Sequence, residues 1–342
     1  MLELESSLTA FVMRLPKVEL HLHLEGAVRP GTLFELCHSK PGLRQKVDEW
    51  VAARREQNFR YADFRDFLTA FKLVALLIET PGDYALATTR LMEWLAEQNV
   101  QYAEIILAAG VVLWKQQPLD AIFEAVAAAA QQAELRTGVR VRWIFDAIRH
   151  FGLDHARQVL HWAARYRSQG VVAFGIGGDE ALGPARLFAE VFREARDLGL
   201  HGVAHAGEAC GPESIRDAVE LLGAERIGHG LTALRDPAVA GLLRERRIPL
   251  EVCPSSNVCS GLVPRWEDHP LPRFLEAGLV VTLNSDDPAM FGTSLQEEFL
   301  RSARCFGLGR ETLIAMCRNA VNASFLDPQE KQALLDRLNA EG

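Results

Sequence analysis

Positive charge is scarce in this 342-residue chain: 37 Lys and Arg face 45 Asp and Glu, for a net charge of −8, and no basic block interrupts the sequence. A polyanion would be repelled on average, which excludes nucleic acid as a partner and disfavours an anionic membrane surface. No apolar run is long enough for a membrane span. The opening "MLELESSLTAFVMRLPK" carries acids early and no basic n-region, so it is not read as a signal peptide. Six cysteines (37, 210, 253, 259, 305, 317) are scattered without paired spacing. That argues against a disulfide framework and for a reducing cytoplasmic setting, with Cys253 and Cys259 read as packing residues. A linker rich in Gly, Ser or Pro is also missing, so residues 1–342 are expected to form one domain with ample core.

What the chain has is alternation. Short apolar runs recur at 17–24, 100–107, 139–148, 171–177, 201–208, 225–230, 248–254 and 279–288, separated by stretches with apolar residues three and four apart. Eight strands alternating with helices predict parallel pairing through right-handed crossovers, and eight close a (β/α)8 TIM barrel. An open doubly wound sheet would want a GxGxxG turn, and "GIGGDE" at 175–180 does not supply one. The longest gap follows the first strand and predicts a helical, lid-like insertion at roughly 41–80. Phe64, Phe67 and Phe71 share one helix face there. They read as a core-facing stripe, or alternatively as an apolar wall over a substrate.

In a barrel of this kind the C-terminal strand ends carry the chemistry. The first strand ends in His21 and His23, two residues apart and so on one face, about 6–7 Å apart at the backbone. The fifth ends in "HAGE", with His205 and Glu208; the sixth in "GHG", with His229; the eighth in "NSDDP", with Asp286 and Asp287. Each has a plain structural reading: a polar strand edge, a core histidine, an Asp-Asp-Pro turn. Jointly they differ, because four of ten histidines fall on the functional face. His38, His150, His155, His161, His201 and His269 are left structural; His201 shares a side with His205 but lies about 13 Å along the strand. Three neutral imidazoles with one carboxylate suit Zn²⁺ with a position left for water. The fourth strand end lacks the lysine that bridges two ions, so one metal is expected.

"PKVELHLHLEGA", "GDE", "HAGE", "RIGHG", "EVCPSSN" and "NSDDPAMFG" occur in one order over nearly the whole chain. In this the sequence resembles the adenosine/adenine deaminase family of metal-dependent hydrolases. It lacks the HxE and PCxxC signature of the other zinc deaminases. The resemblance implies His21, His23, His205 and Asp286 as zinc ligands, with His23 also against the substrate. It implies Glu208 as proton donor to purine N1, and His229 as the residue that orients and helps deprotonate the zinc-bound water. Asp287 would hold that water toward C6, the Gly178 backbone would bond the purine edge, and Glu25 would lie against the sugar or its substitute. Zinc brings a water's pKa toward 7, and the ring nitrogen needs a neutral acid beside it, so Glu208 is expected to have a raised pKa.

The expected activity is hydrolytic deamination of a 6-aminopurine nucleoside, adenosine to inosine plus ammonia. Glu25, where many adenosine enzymes have Asp, leaves room for aminodeoxyfutalosine or free adenine; its extra methylene is expected to push the carboxylate further into the pocket. "CPSSN" does not decide among these. Arg149 reads as an ion-pair residue or as a contact to an anionic substrate tail. A catalytically silent binding protein on this fold is a remote alternative, since every ligand and acid position is filled. A different metal hydrolase, an amidase or a phosphoesterase, is disfavoured by the absent lysine. Only a small-molecule purine is expected as partner, and nothing fixes an oligomeric state.

Overall fold

The computed structural model describes residues 2–341. Eight strands, β1 Lys17–His23, β2 Val100–Leu107, β3 Arg140–Ile148, β4 Val171–Gly177, β5 His201–Ala206, β6 Arg226–His229, β7 Leu250–Val252 and β8 Val281–Leu283, lie in one sheet in chain order. All seven neighbouring pairs are parallel. The sheet closes where Leu22 bridges to Asp286: His23 N donates to Asp286 O at 2.9 Å, and Asp286 N donates to His21 O at 3.0 Å. This is a (β/α)8 barrel.

The last four strands are shorter than the apolar runs suggest, for a local reason. After β8 the Asn284 side chain, not the main chain, accepts the Leu20 N–H at 2.9 Å. Asp286 then enters the left-handed region with φ 64°. β6 likewise stops at His229, with φ 63°. These turns end the ladder and aim side chains over the barrel mouth.

Helices cover the outside through the usual amphipathic logic. In Leu119–Thr137 the residues Leu119, Ile122, Phe123, Val126, Ala130 and Ala133 are buried on one face, and Phe123 packs edge-on against Trp143 and Phe145 of β3. At the opposite end of the barrel, fully buried Arg226 lies between Glu104 (2.6 Å) and Glu251, its guanidinium over the Phe325 ring. Two carboxylates and a π face compensate the buried cation. His201 stacks on the same Phe325 at 3.9 Å and pairs with Glu225, away from the mouth.

The insertion between β1 and β2 is helical, with Pro41–Glu56 and Phe64–Leu77 spanning the expected segment. Asp63 caps the second helix by accepting the Arg65 and Asp66 N–H groups. Tyr61 fastens the segment to the mouth loops: its N–H donates to Cys259 O at 2.8 Å and its hydroxyl to Met290 O at 3.0 Å.

Candidate active site

Four strand ends deliver one cluster. His21 Nε2 and His23 Nε2 lie 3.4 and 3.3 Å from Asp286 Oδ1, and His23 Nε2 lies 3.3 Å from His205 Nε2. All four side chains are buried. His21 Nε2 has no protein hydrogen-bond partner despite complete burial, an arrangement a protein avoids unless something else meets that atom. Donor separations near 3.3 Å are the edges of a tetrahedron whose centre lies about 2.0 Å from each corner, the length of a zinc–nitrogen bond. The donor set therefore fits a divalent ion. Two overlapping groups meet the proximity requirement: His21, His205, His229 and Asp286, and His23, Asp286 and Asp287.

The His21 and His205 rings are oriented from behind. Glu251 Oε2 accepts from His21 Nδ1 at 2.8 Å, and Ile176 O accepts from His205 Nδ1 at 3.1 Å, which turns both Nε2 atoms toward the cluster. Gly228, in "GHG", is required by this packing: a Cβ there would lie 2.7 Å from His21 Cε1. Gly26 is required too, because a Cβ would overlap the Asp287 carboxylate.

Charge in the cluster is divided unevenly. Burial works against ionising Asp286, yet the close His21 ring and the neighbouring His229 and His23 imidazoles hold its carboxyl well below the usual range. Burial and the adjacent Asp286 push Asp287 well above it. Burial lowers His23 to about 4 and His229 to about 3, whereas His21, between Asp286 and Glu251, is raised to about 10 against the effect of burial. Glu208 is pushed well up by burial and by Asp286 and Glu180.

Glu208 sits on a loop that Glu180 shapes. The Glu180 carboxylate accepts the N–H groups of Gly207, Glu208 and Ala209, each at 2.9 Å. Glu208 Oε1 comes 3.4 Å from His229 Nε2. "GGDE" thus contributes a loop-organising acid as well as Gly178, which lines the cavity with φ 88°.

A cavity of about 620 Å³ rises from the cluster, with His23, His205, Glu208, His229, Asp286 and Asp287 at its floor. The helix Phe64–Leu77 forms one wall, so the phenylalanine stripe packs on the core and borders the cavity at once. Phe67 is buried against Phe291 at 4.9 Å, and Phe64, Phe67 and Phe71 all face the cavity. Trp114 and Phe151, stacked 5.7 Å apart, line the outer part.

Four residues stand elsewhere than the sequence suggests. Glu25 is buried but does not line the cavity: the short 3₁₀ turn Glu25–Ala27 swings its carboxylate onto the Ala108 N–H, 3.3 and 3.4 Å away, and not further into the pocket. Arg149 does not line the cavity and has no close ion pair among the described residues; it is buried and donates to the main-chain oxygens of Gly183 and His205, bracing the end of β5. His150 and His269, set aside as structural, stand close to the site, His150 in the cavity wall and His269 behind Asn257. Sequence reading also passed over Asp146 on β3, a buried cavity-lining acid whose carboxylate fills the space left by Gly175 and Gly177.

The profile of the family described as adenosine deaminase matches residues 16–341. The chain belongs to the adenosine deaminase family. This deaminase is 39% identical, over 95% of its length and 90% of the relative's, to the aminodeoxyfutalosine deaminase of Streptomyces avermitilis. Its fold superposes on the crystal structure of adenine deaminase from Arthrobacter aurescens with a TM-score of 0.87 and 28% identity, covering 95% of this chain and 98% of that one. A Burkholderia ambifaria amidohydrolase with bound Zn aligns at a TM-score of 0.84 and 27% identity, over 97% and 94% of the two chains. The deaminase is accordingly a hydrolytic enzyme of the metal-dependent amidohydrolase type, and its buried His/His/His/Asp group is where such a metal fits.

Proposed function

We propose that this enzyme hydrolyses the exocyclic amino group of a 6-aminopurine nucleoside bearing a 5′ substituent, aminodeoxyfutalosine being the first candidate, and releases ammonia with one zinc ion at the His21, His23, His205 and Asp286 donors. The observation that carries the reading is a neutral, buried Glu208 at the floor of a cavity of about 620 Å³ that continues outward to the Trp114–Phe151 stack. A bare purine fills only the inner part of such a space. The Streptomyces relative's activity supports the extended substrate, as the zinc-bound amidohydrolase supports the metal.

A zinc ion held there supplies, when bound, a Lewis acid that makes a water nucleophilic near neutral pH. The chain's own residues do the rest. Glu208, held neutral by burial, gives a proton to purine N1, so that C6 becomes electrophilic enough to accept the water oxygen. Asp287, beside Asp286 and over Gly26, steadies that water toward C6, and His229 orients it from the opposite side. The Gly178 backbone, placed by its positive φ, meets the purine edge. The apolar wall of the helix Phe64–Leu77 excludes bulk water, which keeps the proton on Glu208.

A panel of metal-replete assays tests the reading: ammonia release from adenosine, adenine, AMP and aminodeoxyfutalosine. The expected order puts aminodeoxyfutalosine highest in kcat/KM. No release from any of the four refutes deamination, and a preference for free adenine refutes the 5′ extension while leaving the chemistry intact. Glu208→Gln should keep its metal and lose about 10²–10⁴ in kcat.

A further inference from the structure

The position of the proton on His229 is decided by a line of hydrogen bonds that starts at a main-chain amide. Leu271 N–H donates to His269 Nδ1 at 3.1 Å. An amide N–H can only donate, so His269 Nδ1 is an acceptor and the ring carries its proton on Nε2. That nitrogen lies 3.1 Å from Asn257 Oδ1, which sets the orientation of the Asn257 amide. Asn257 Nδ2 then donates to His229 Nδ1 at 3.1 Å. His229 Nδ1 is therefore an acceptor as well, and the neutral ring carries its proton on Nε2, facing Glu208 Oε1 at 3.4 Å. His229, Asn257 and His269 are all fully buried, so water does not compete for these bonds.

We propose that Asn257 and His269 are positioning residues that hold His229 as an Nε2–H donor into the active site and thereby keep it out of the metal's ligand set. The consequence separates the two donor groups that proximity alone allows. A ring nitrogen that carries a proton has no lone pair for a cation, so His229 is excluded although it lies as close to His21, His205 and Asp286 as a ligand would. The vacated corner falls to His23, whose Nε2 is 3.3 Å from both Asp286 Oδ1 and His205 Nε2. The same proton prevents His229 from acting as the base: it steadies the attacking oxygen by donation. The "CPSSN" motif thus acquires a role through its last residue. Burial also lowers His269 to about 3, which keeps that ring neutral through the working pH range.

The mechanistic half of this inference rests on the deaminase reading; the location of the proton does not. Protein labelled with ¹⁵N-histidine, with and without zinc, reports the tautomer directly, and the His229 signals are assigned by their loss in His229→Gln. Wild-type His229 should show an unprotonated Nδ1 and a protonated Nε2 in both forms. In Asn257→Asp the carboxylate can only accept, so the tautomer should invert, with kcat falling about 10–100-fold while KM stays nearly constant. His269→Leu should lose the fixed tautomer and part of the turnover. His269→Gln, which retains a donor toward Asn257 Oδ1, should restore both. A wild-type His229 protonated at Nδ1, or an Asn257→Asp protein with unchanged tautomer, overturns the proposal. Because the ¹⁵N pattern is read without substrate, a failed activity panel would leave it standing.

Discussion

Replacing Gly228 with Ala isolates the packing of the clustered imidazoles at the barrel mouth. Gly228 lies outside the left-handed region, so an alanine meets no backbone penalty there; the perturbation is the methyl group alone. That carbon would sit 2.7 Å from His21 Cε1, against an ordinary carbon–carbon approach of about 3.5 Å or more. Roughly 0.8 Å must be absorbed, and neither side can yield it easily. The His21 ring is held at Nδ1 by Glu251, which is itself fixed by Arg226. The Gly228 backbone lies in the ladder between His205 of β5 and Glu251 of β7. Metal–ligand distances tolerate only about 0.2 Å, so a ring displaced by several tenths no longer fits the ion. The expected loss is about 10–100-fold in zinc affinity, or roughly 1.4–2.7 kcal/mol, with turnover falling in proportion at limiting metal. Competition with a chromophoric chelator measures the affinity. Unfolding of the metal-free protein measures overpacking strain separately, at about 1–3 kcal/mol. Wild-type zinc affinity in Gly228→Ala would refute the claim that this glycine makes room for a ligand.

Three further substitutions probe other parts of the argument. Gly241, within the helix Pro237–Arg246, has open space at its Cβ, so Gly241→Ala should stabilise the protein by about 0.5–1 kcal/mol in urea unfolding, and a loss of stability would contradict the open environment. Trp114→Ala removes one face of the outer stack; KM for a 5′-extended nucleoside should rise about 3- to 10-fold while free adenine is unaffected, and an equal effect on both would dissociate the stack from the 5′ group. Burial raises Glu298 to about 7 from 4.5, although Ser255 and Thr293 bond to it. The folded state then holds the extra proton between those values, so the stability is full below pH 4.5 and is lost as pH rises through 7. Unfolding free energies of metal-free wild type, from urea titrations, should fall over that window by up to about 3 kcal/mol more than those of Glu298→Gln, and parallel profiles would exclude the titration.

Some of this molecule is legible in one dimension. β2 and β4 coincide with their apolar runs, and His21, His23, His205, Glu208, His229, Asp286 and Asp287 could be picked out because a barrel maps the end of every strand onto one face. What position along a strand does not encode is the direction of a side chain after the strand has stopped. Glu25 is two residues beyond His23, yet a single 3₁₀ turn holds its carboxylate on the Ala108 N–H, behind the cavity lining. Asn257 and His269 meet across twelve residues of loop and short helix whose path no periodicity announces. Glu180 serves three main-chain amides of another loop, a role its letter alone does not signal. The charge of Arg149 suggests an ionic partner, but the acceptors its buried guanidinium meets are main-chain oxygens.

The backbone at Asp286 ties these two levels together. Both its N–H and its C=O are used on β1, the first received by His21 O and the second accepting from His23 N, so the residue that would hold the metal is also the rung that closes the barrel. Its left-handed φ of 64° is costly for an aspartate, and persists because bonds on both sides over-determine it. His229 is held in the same region at φ 63°, with glycines before and after it in "GHG". A cation drawing His21, His23, His205 and Asp286 together therefore pulls on the seam between the first and last strands. Metal binding and barrel closure are then one free energy: zinc should protect the amides of Leu22 to Leu24 and of Asn284 to Asp286 from hydrogen exchange more than those of β3, which is separated from the seam by β1 and β2. Uniform protection over the whole sheet would show that the seam and the site are independent.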